Sequence, residues 1–358
     1  MAIFKGKNIS VEIYGESHSE KIGANCKGLP TFKFDSDKLN EFISRRKASK
    51  NAFSTSRIED DVPIFENVKN QTISGDFSFN IYNKNVKSGD YNNLYGKPRP
   101  SHADYATYLK DGTLDFSGGG RFSGRLTAPL VVVGGILKQY LEQKGIFVEA
   151  YVSSIGGVKG ISYKDQNIER QFLLENRDSQ LNTLKNKEKM LNEIEDAKSK
   201  GDSVGGTIEC IVYGLKAGVG DNLFEGLEGK IASLIYSVPA VKGVEFGRGF
   251  DFANMRGSTA NDPLRYVSGK VKLVTNNNGG INGGISNGED VTISVAVKPT
   301  PSISIKQQSV DLINKENCDI EIKGRHDSCI VPRAVVCIES AVIIALADEL
   351  GDVLWKTL

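Results

Sequence analysis

Residues 117–144 read SGGGRFSGRLTAPLVVVGGILKQYLEQK, a glycine loop that opens directly into an apolar segment. From Thr127 onward apolar side chains occupy nearly every face, which predicts a largely buried helix over 127–144. The loop before it combines free backbone amides with Arg121, Arg125 and the hydroxyl of Ser123, which suits a phosphate held at a helix start. Taken alone, the loop is equally compatible with a plain turn. No Gly-Lys-Ser/Thr follows at Walker A spacing, and the G-x-G-x-x-G fingerprint of dinucleotide folds is missing.

Working outward, residues 332–350 predict a second largely buried helix. Alternating apolar runs at 73–81, 206–213 and 291–297 predict half-buried strands, and Ile9, Val11 and Ile13 predict another that delivers the chain into the loop Gly15-Glu16-Ser17-His18-Ser19. Ser36 and Asp37 precede Leu39, Phe42 and Ile43 at helical spacing, so a helix is expected to run into the basic stretch Arg45-Arg46-Lys47. Strands and helices mix without a βαβ rhythm. The charged stretch of about 164–200 reads as a surface helical excursion, and with no repeat and no Pro/Ser-rich connector one domain over 1–358 is expected.

The composition, 39% hydrophobic and 25% charged, allows a substantial core and excludes wholesale disorder. Forty-five basic side chains against forty-four acidic ones leave no broad basic field, so nucleic acid is not an expected partner. Five scattered cysteines without a C-x-x-C pair predict a reduced, cytoplasmic protein. The N-terminus lacks an apolar signal core, and the most apolar segment, 334–350, is interrupted by Glu339 and Asp348, so no membrane association is expected. Glycine is the outlier, with 38 residues, many of them beside Arg, His and Asn.

Only three histidines, His18, His102 and His326, are available for imidazole chemistry near neutral pH. Each sits in a polar, turn-like context. Arg99 precedes His102 by three residues, while Arg325 and Asp327 flank His326, so two of these turns combine cation and imidazole, as an anionic substrate requires. Lys298-Pro299-Thr300-Pro301-Ser302 closes a strand with a cation, stiffened turns and hydroxyls. No residue set has metal-ligand spacing, and no G-x-S-x-G elbow is present. The residues point to a glycine-lined, arginine-rich pocket for a phosphorylated anion with imidazole nearby.

Seven ordered blocks resemble chorismate synthase: Gly15-Glu16-Ser17-His18, Arg99-Pro100-Ser101-His102-Ala103-Asp104-Tyr105, Gly118-Gly119-Gly120-Arg121, Val241-Lys242-Gly243-Val244-Glu245, Gly279-Gly280-Ile281-Asn282-Gly283-Gly284-Ile285-Ser286, Lys298-Pro299-Thr300 and Gly324-Arg325-His326-Asp327. The resemblance implies an α+β sandwich with helices enclosed between antiparallel β-sheets, assembled as a homotetramer. It also implies a lyase that converts 5-enolpyruvylshikimate 3-phosphate to chorismate and phosphate by 1,4-anti elimination. Reduced FMN is the implied cofactor. No NADPH-oxidising domain is evident, so an external flavin reductase or reductant is expected to supply it.

By the same resemblance, His18 would protonate the leaving phosphate, His102 would protonate or stabilise the anionic reduced flavin, and Asp327 would assist proton removal. The implied flavin contacts are Arg121, Phe122, Ser123, Pro239, Ala240, Gly283, Lys298, Pro299, Thr300, Pro301, Ser302 and Arg325. Arg46 matches an arginine for the substrate phosphate, Lys50 or Arg57 is the candidate for a second, and Arg125 and His326 complete the expected substrate contacts. Ser19, Ala52, Leu126 and Leu130 depart from the usual pattern, which keeps open a noncatalytic flavin or phosphometabolite binder on the same scaffold.

Overall fold

The computed structural model describes residues 1–47, 60–83, 94–116, 119–322 and 327–354. The chain opens with strands β1 (Ala2–Lys5), β2 (Ser10–Tyr14) and β3 (Lys21–Lys33), then helix α1 (Ser36–Ser44), strands β4 (Ile64–Phe65) and β5 (Thr72–Tyr82), and helices α2 (Asp104–Asp111) and α3 (Thr127–Gln143). Next come β6 (Phe147–Ile155), β7 (Val158–Lys159), α4 (Arg170–Asn176), α5 (Lys187–Ser199), β8 (Gly206–Tyr213), α6 (Leu227–Ser237) and β9 (Val241–Phe246). A short α7 (Gly257–Ala260) leads into the hairpins β10 (Leu264–Val267) with β11 (Lys270–Leu273) and β12 (Ile281–Asn282) with β13 (Ile285–Ser286). Strand β14 (Val291–Val297), the hairpin β15 (Gln307–Asp311) with β16 (Glu316–Ile320), and helix α8 (Val331–Leu354) complete it.

Two five-stranded antiparallel sheets, β1-β2-β3-β5-β4 and β7-β6-β8-β14-β9, form the outer layers. Between them, α3 packs against β3 of the first sheet and α8 against β6 and β8 of the second, and the two helices cross each other. The expected α+β sandwich with enclosed helices is the architecture observed. Its cause lies in the pattern: α3 and α8 are apolar on nearly all faces and can be satisfied only between two apolar layers, whereas strands covered on one face alternate. At the helix crossing, a Cβ on Gly134 would lie 2.4 Å from Ser340 Cβ, so the close approach requires glycine.

The acidic residues that interrupt the apolar run of α8 each have a structural task. The Asp348 carboxylate accepts hydrogen bonds from the backbone N–H groups of Lys7, Asn8 and Ile9, tying the β1–β2 turn to the helix. Glu339, with no exposure, takes a bidentate bond from Arg45 (2.7 and 3.1 Å) and lies 3.2 Å from Lys138 Nζ. Burial pushes its carboxyl up, but Arg45 and Lys138 overcome this and hold it below the usual range. Glu149 extends the network to Arg170 and Arg177.

The strands over 206–213 and 291–297 appear with those bounds, the strand over 73–81 is one residue longer at each end, and the helix over 127–144 is one residue shorter at its C-terminal end; β8, expected half-buried, is buried throughout 208–213 because both its faces are covered. The expected helix through Leu39, Phe42 and Ile43 is α1, capped by Asp35, whose Oδ1 accepts from the N–H groups of Asp37 and Lys38. The excursion of 164–200 is less superficial than its charge suggests. Leu173, Leu181, Met190 and Ile194 are fully buried, and Leu173 joins Tyr151, Ile168, Ile211 and Tyr213 in a second apolar cluster on the second sheet.

No helix among the described residues is long and apolar enough to cross a membrane. Replacing Glu339 with Gln leaves Arg45 without its counter-charge and Lys138 with Glu142 and Glu149 alone, and is expected to cost about 3–5 kcal/mol of unfolding free energy. Urea denaturation followed by far-UV circular dichroism measures this, and a change under about 1 kcal/mol would contradict the role given to Glu339.

Candidate active site

Two arginines at the end of α1 face different environments. Arg45 reaches into the core to Glu339, while Arg46 donates from Nε to Thr127 Oγ1 (2.9 Å), from Nη1 to Asp61 Oδ2 (2.5 Å) and from Nη2 to the Gly124 carbonyl (3.1 Å). Arg125, from the short turn before α3, donates to the other Asp61 oxygen and, through Nε, to Asn83 Oδ1 (2.8 Å). Asn83 in turn donates to the Ser19 carbonyl (2.7 Å), and Ser17 N–H reaches the Gly120 carbonyl (3.4 Å). The His18 loop is therefore fastened to the glycine loop that begins α3. Within it, His18 Nδ1 lies 2.9 Å from Ser17 Oγ.

From the glycine loop, Arg121 donates to Asp111 at the far end of α2 (2.5 Å) and lies over the Phe122 ring. Ser123 turns inward, its Oγ accepting from Arg125 N–H. At the other end of α2, Asp104 receives Arg99 through Nε (2.7 Å) and Nη2 (2.9 Å), and His102 Nδ1 also contacts it. Burial pushes the Asp104 carboxyl up, but the bonds from Arg99 and His102 hold it at about 2. The carboxylate contact is shorter than the 3.1 Å approach of Arg99 Nη2 to His102 Nδ1, which puts the proton on Nδ1 and leaves Nε2 for exchange.

Lys298 bridges to this turn, donating from Nζ to the Ser101 carbonyl (2.5 Å) and from its backbone N–H to the carbonyl of Ala240 (2.9 Å), a residue in left-handed conformation at φ 72°. Burial and the nearby Lys242 push its ammonium below the usual lysine value. Thr300 accepts from Ser203 Oγ through its carbonyl (2.7 Å), and Val204 N–H donates to the Ser328 carbonyl (2.9 Å). Next to Ser328, Asp327 accepts from Arg333 Nη1 (2.6 Å), while Arg333 Nε donates to the Arg46 carbonyl (3.2 Å). The contacts thus run in a closed circuit from His18 through His102, Lys298 and Asp327 back to Arg46, Arg125 and His18.

Three buried polar atoms on this circuit have no hydrogen-bond partner among the described residues: Arg125 Nη2, Thr300 Oγ1 and Ser328 Oγ. Orphaned donors in such a place mark where a polar ligand belongs. A phosphorylated flavin and an anionic substrate suit this set of guanidinium, ammonium and hydroxyl groups. Half-exposed Phe122, exposed Pro239 and Pro299, partly buried Pro301 and buried Ser302 stand on the same segments.

Gly283 lies in the turn between β12 and β13. The neighbouring Gly284 carbonyl accepts from Leu227 at the start of α6, and Ala240 follows the end of that helix. Lys50, Arg57, Ala52, Arg325 and His326 lie outside the described residues. A cavity of about 440 Å³ beneath β11, lined in part by Tyr163, Arg248, Asn277 and Asp290, includes none of the described circuit residues. No group of three or more potential metal ligands occurs among the described residues.

A family model described as chorismate synthase matches residues 9–350. The chain belongs to the chorismate synthase family. It is 41% identical over 347 residues to a chorismate synthase of Dehalococcoides mccartyi, covering 96% of this chain and 95% of that one. It is also 41% identical over 350 residues to that of Thermococcus gammatolerans, covering 97% of each. A crystal structure of chorismate synthase shares the fold, with a TM-score of 0.76 at 24% identity over 98% of this chain and 94% of the other. Family membership makes the protein a carbon–oxygen lyase of the shikimate pathway.

Sequence reasoning nominated the histidines, the glycine loop and Lys298, but passed over Asp61, Asn83 and Arg333. Asp61 and Asn83 pair with residues 15 to 64 positions away, and Arg333 joins Asp327, six positions before it, to the Arg46 carbonyl 287 positions away, so only the tertiary fold shows their place in the site. Asp104 adds stability above the ordinary carboxyl range near pH 4, and that contribution is lost as pH falls toward about 2. Asp104→Asn should therefore flatten part of the acid limb of melting temperature against pH between about 4 and 2. An acid limb identical to the wild type would contradict the ion pair.

Proposed function

We propose that the circuit holds reduced FMN and 5-enolpyruvylshikimate 3-phosphate together, and that its residues carry out the elimination that yields chorismate and phosphate. The observation that carries this reading is the set of orphaned buried donors, Arg125 Nη2, Thr300 Oγ1 and Ser328 Oγ, on a circuit bearing two histidines. The flavin, when bound, supplies electron density that lets phosphate leave without net redox change. Lys298, Pro299, Thr300, Pro301 and Ser302, with Arg121, Phe122, Ser123, Pro239 and Ala240, would hold it, and Arg325 would add a further cation.

Arg125 and Arg46 would bind and orient the phosphate. Arg125 has the greater capacity, because Nη2 is unengaged whereas each nitrogen of Arg46 already donates to the protein. Lys50, Arg57 and His326 are the further candidates for substrate contact. His18 would deliver a proton from Nε2 to the departing phosphate oxygen, its Nδ1 being engaged by Ser17. His102 would hold a proton at Nε2 toward the flavin, with Asp104 steadying the charged ring. Asp327, oriented by Arg333, would assist removal of the ring hydrogen.

A homotetramer and an external reductant belong to this reading. Exposed Phe224 (96%), Tyr266 (82%) and Phe250 (78%) supply apolar surface for self-association, and a second copy offers a way for Gly283 to approach a flavin.

Under anaerobic conditions with dithionite-reduced FMN, the purified protein should release phosphate and form chorismate in equal amounts. FMN binding without product would contradict the reading and favour a noncatalytic binder. His102→Ala should retain most FMN affinity while turnover falls roughly 10- to 10,000-fold. Unchanged turnover would remove His102 from the proton chemistry.

A further inference from the structure

We infer that Asp61 is a positioning residue for the phosphate-bearing substrate: its carboxylate, shared by Arg46 and Arg125, aims the unengaged Nη2 edge of Arg125 at the anion. The inference rests on the functional reading above and deepens it. Asp61 does not itself meet the substrate, because each of its oxygens is already taken by a guanidinium.

The Asp61 side chain is only 1% exposed, and its backbone stands at φ 50°, a left-handed conformation that Asp and Asn tolerate better than most residues. Such a conformation at a buried ion pair is held only where its surroundings demand it. Arg46 and Arg125 bring two formal positive charges and Asp61 one negative, leaving the trio one positive charge with which to meet an anion.

Donor counting separates the two arginines. Arg46 spends Nε, Nη1 and Nη2 on Thr127, Asp61 and Gly124. Arg125 spends Nε on Asn83 and one Nη1 hydrogen on Asp61, so both Nη2 hydrogens are uncommitted although the atom is buried. Asp61 and Asn83 together fix the plane of that guanidinium, and a fixed plane is what lets a fork of donors recognise phosphate. Burial lowers the Arg46 guanidinium below its usual value and Arg333 and Arg125 add to this, while Asp61 opposes them. Without Asp61, two buried like charges would drive each other apart.

The test compares steady-state constants for Asp61→Asn, Arg125→Ala and the double variant with the wild type. Asparagine keeps the shape and the left-handed backbone but loses the charge. Asp61→Asn should raise KM for the enolpyruvyl substrate about 10- to 100-fold, the worth of a charge-assisted hydrogen bond, with kcat within about 3-fold of wild type. Because Asp61 acts through Arg125, adding Asp61→Asn to Arg125→Ala should raise KM by less than about 2-fold further. Multiplicative effects on KM, or a loss confined to kcat, would overturn the proposal.

Should Asp61→Asn fail to fold, Asn83→Ala frees Nε of Arg125 and keeps both ion pairs. It must then show the same KM-selective loss, and an unchanged KM overturns the proposal. Thermal unfolding with inorganic phosphate gives a readout without turnover. Phosphate should raise the melting temperature of the wild type and leave Asp61→Asn unmoved, while equal shifts, or none in the wild type, would count against Asp61. If the wild type makes no chorismate the functional reading fails, whereas the phosphate titration still decides the role of Asp61.

Discussion

Arg45 and Arg46 are adjacent in sequence and serve opposite purposes, and the site depends on that division. Arg45 is drawn into the core by Glu339, which fastens the end of α1 to the middle of α8. Arg46 is thereby committed to the opposite direction, where Asp61 shares it with Arg125. Neither cation would tolerate its degree of burial without its carboxylate. One short piece of chain therefore transmits the position of the buried helices to the groups that meet an anion.

The sandwich explains why loops far apart in sequence can meet at one place. Antiparallel sheets leave their connections at the strand ends, and the segments that begin α3 and α8 are among those connections. The glycine loop before α3 and the Asp327–Ser328 segment before α8 are thus delivered to the same circuit by the helices that fill the core. Packing tight enough to require Gly134 against Ser340 fixes how those two helix starts stand relative to each other.

Much of the fold was legible because periodicity is local. Strands β8 and β14 followed directly from alternation, and α3 from an unbroken apolar run. Helix α1 followed from the spacing of Leu39, Phe42 and Ile43, but its cap did not, because Asp35, Ser36 and Asp37 are all competent caps. The excursion of 164–200 looked superficial because its charged residues outnumber its apolar ones, yet Leu173 covers a sheet face whose residues lie elsewhere in the chain, and Met190 and Ile194 join the main core. The site was legible as separate motifs. Its wiring was not, because Asp61 and Asn83 pair with residues 15 to 64 positions away and Arg333 reaches the Arg46 carbonyl across 287.

The most direct measurement is a crystal structure of the protein with oxidised FMN and the enolpyruvyl phosphate substrate bound together. The account predicts the substrate phosphate within hydrogen-bond reach of Arg125 Nη2 and His18, with the flavin against Lys298 and Thr300 and close to His102 Nε2. Ligands seated in the cavity beneath β11, with Arg125 Nη2 still unengaged, would contradict it.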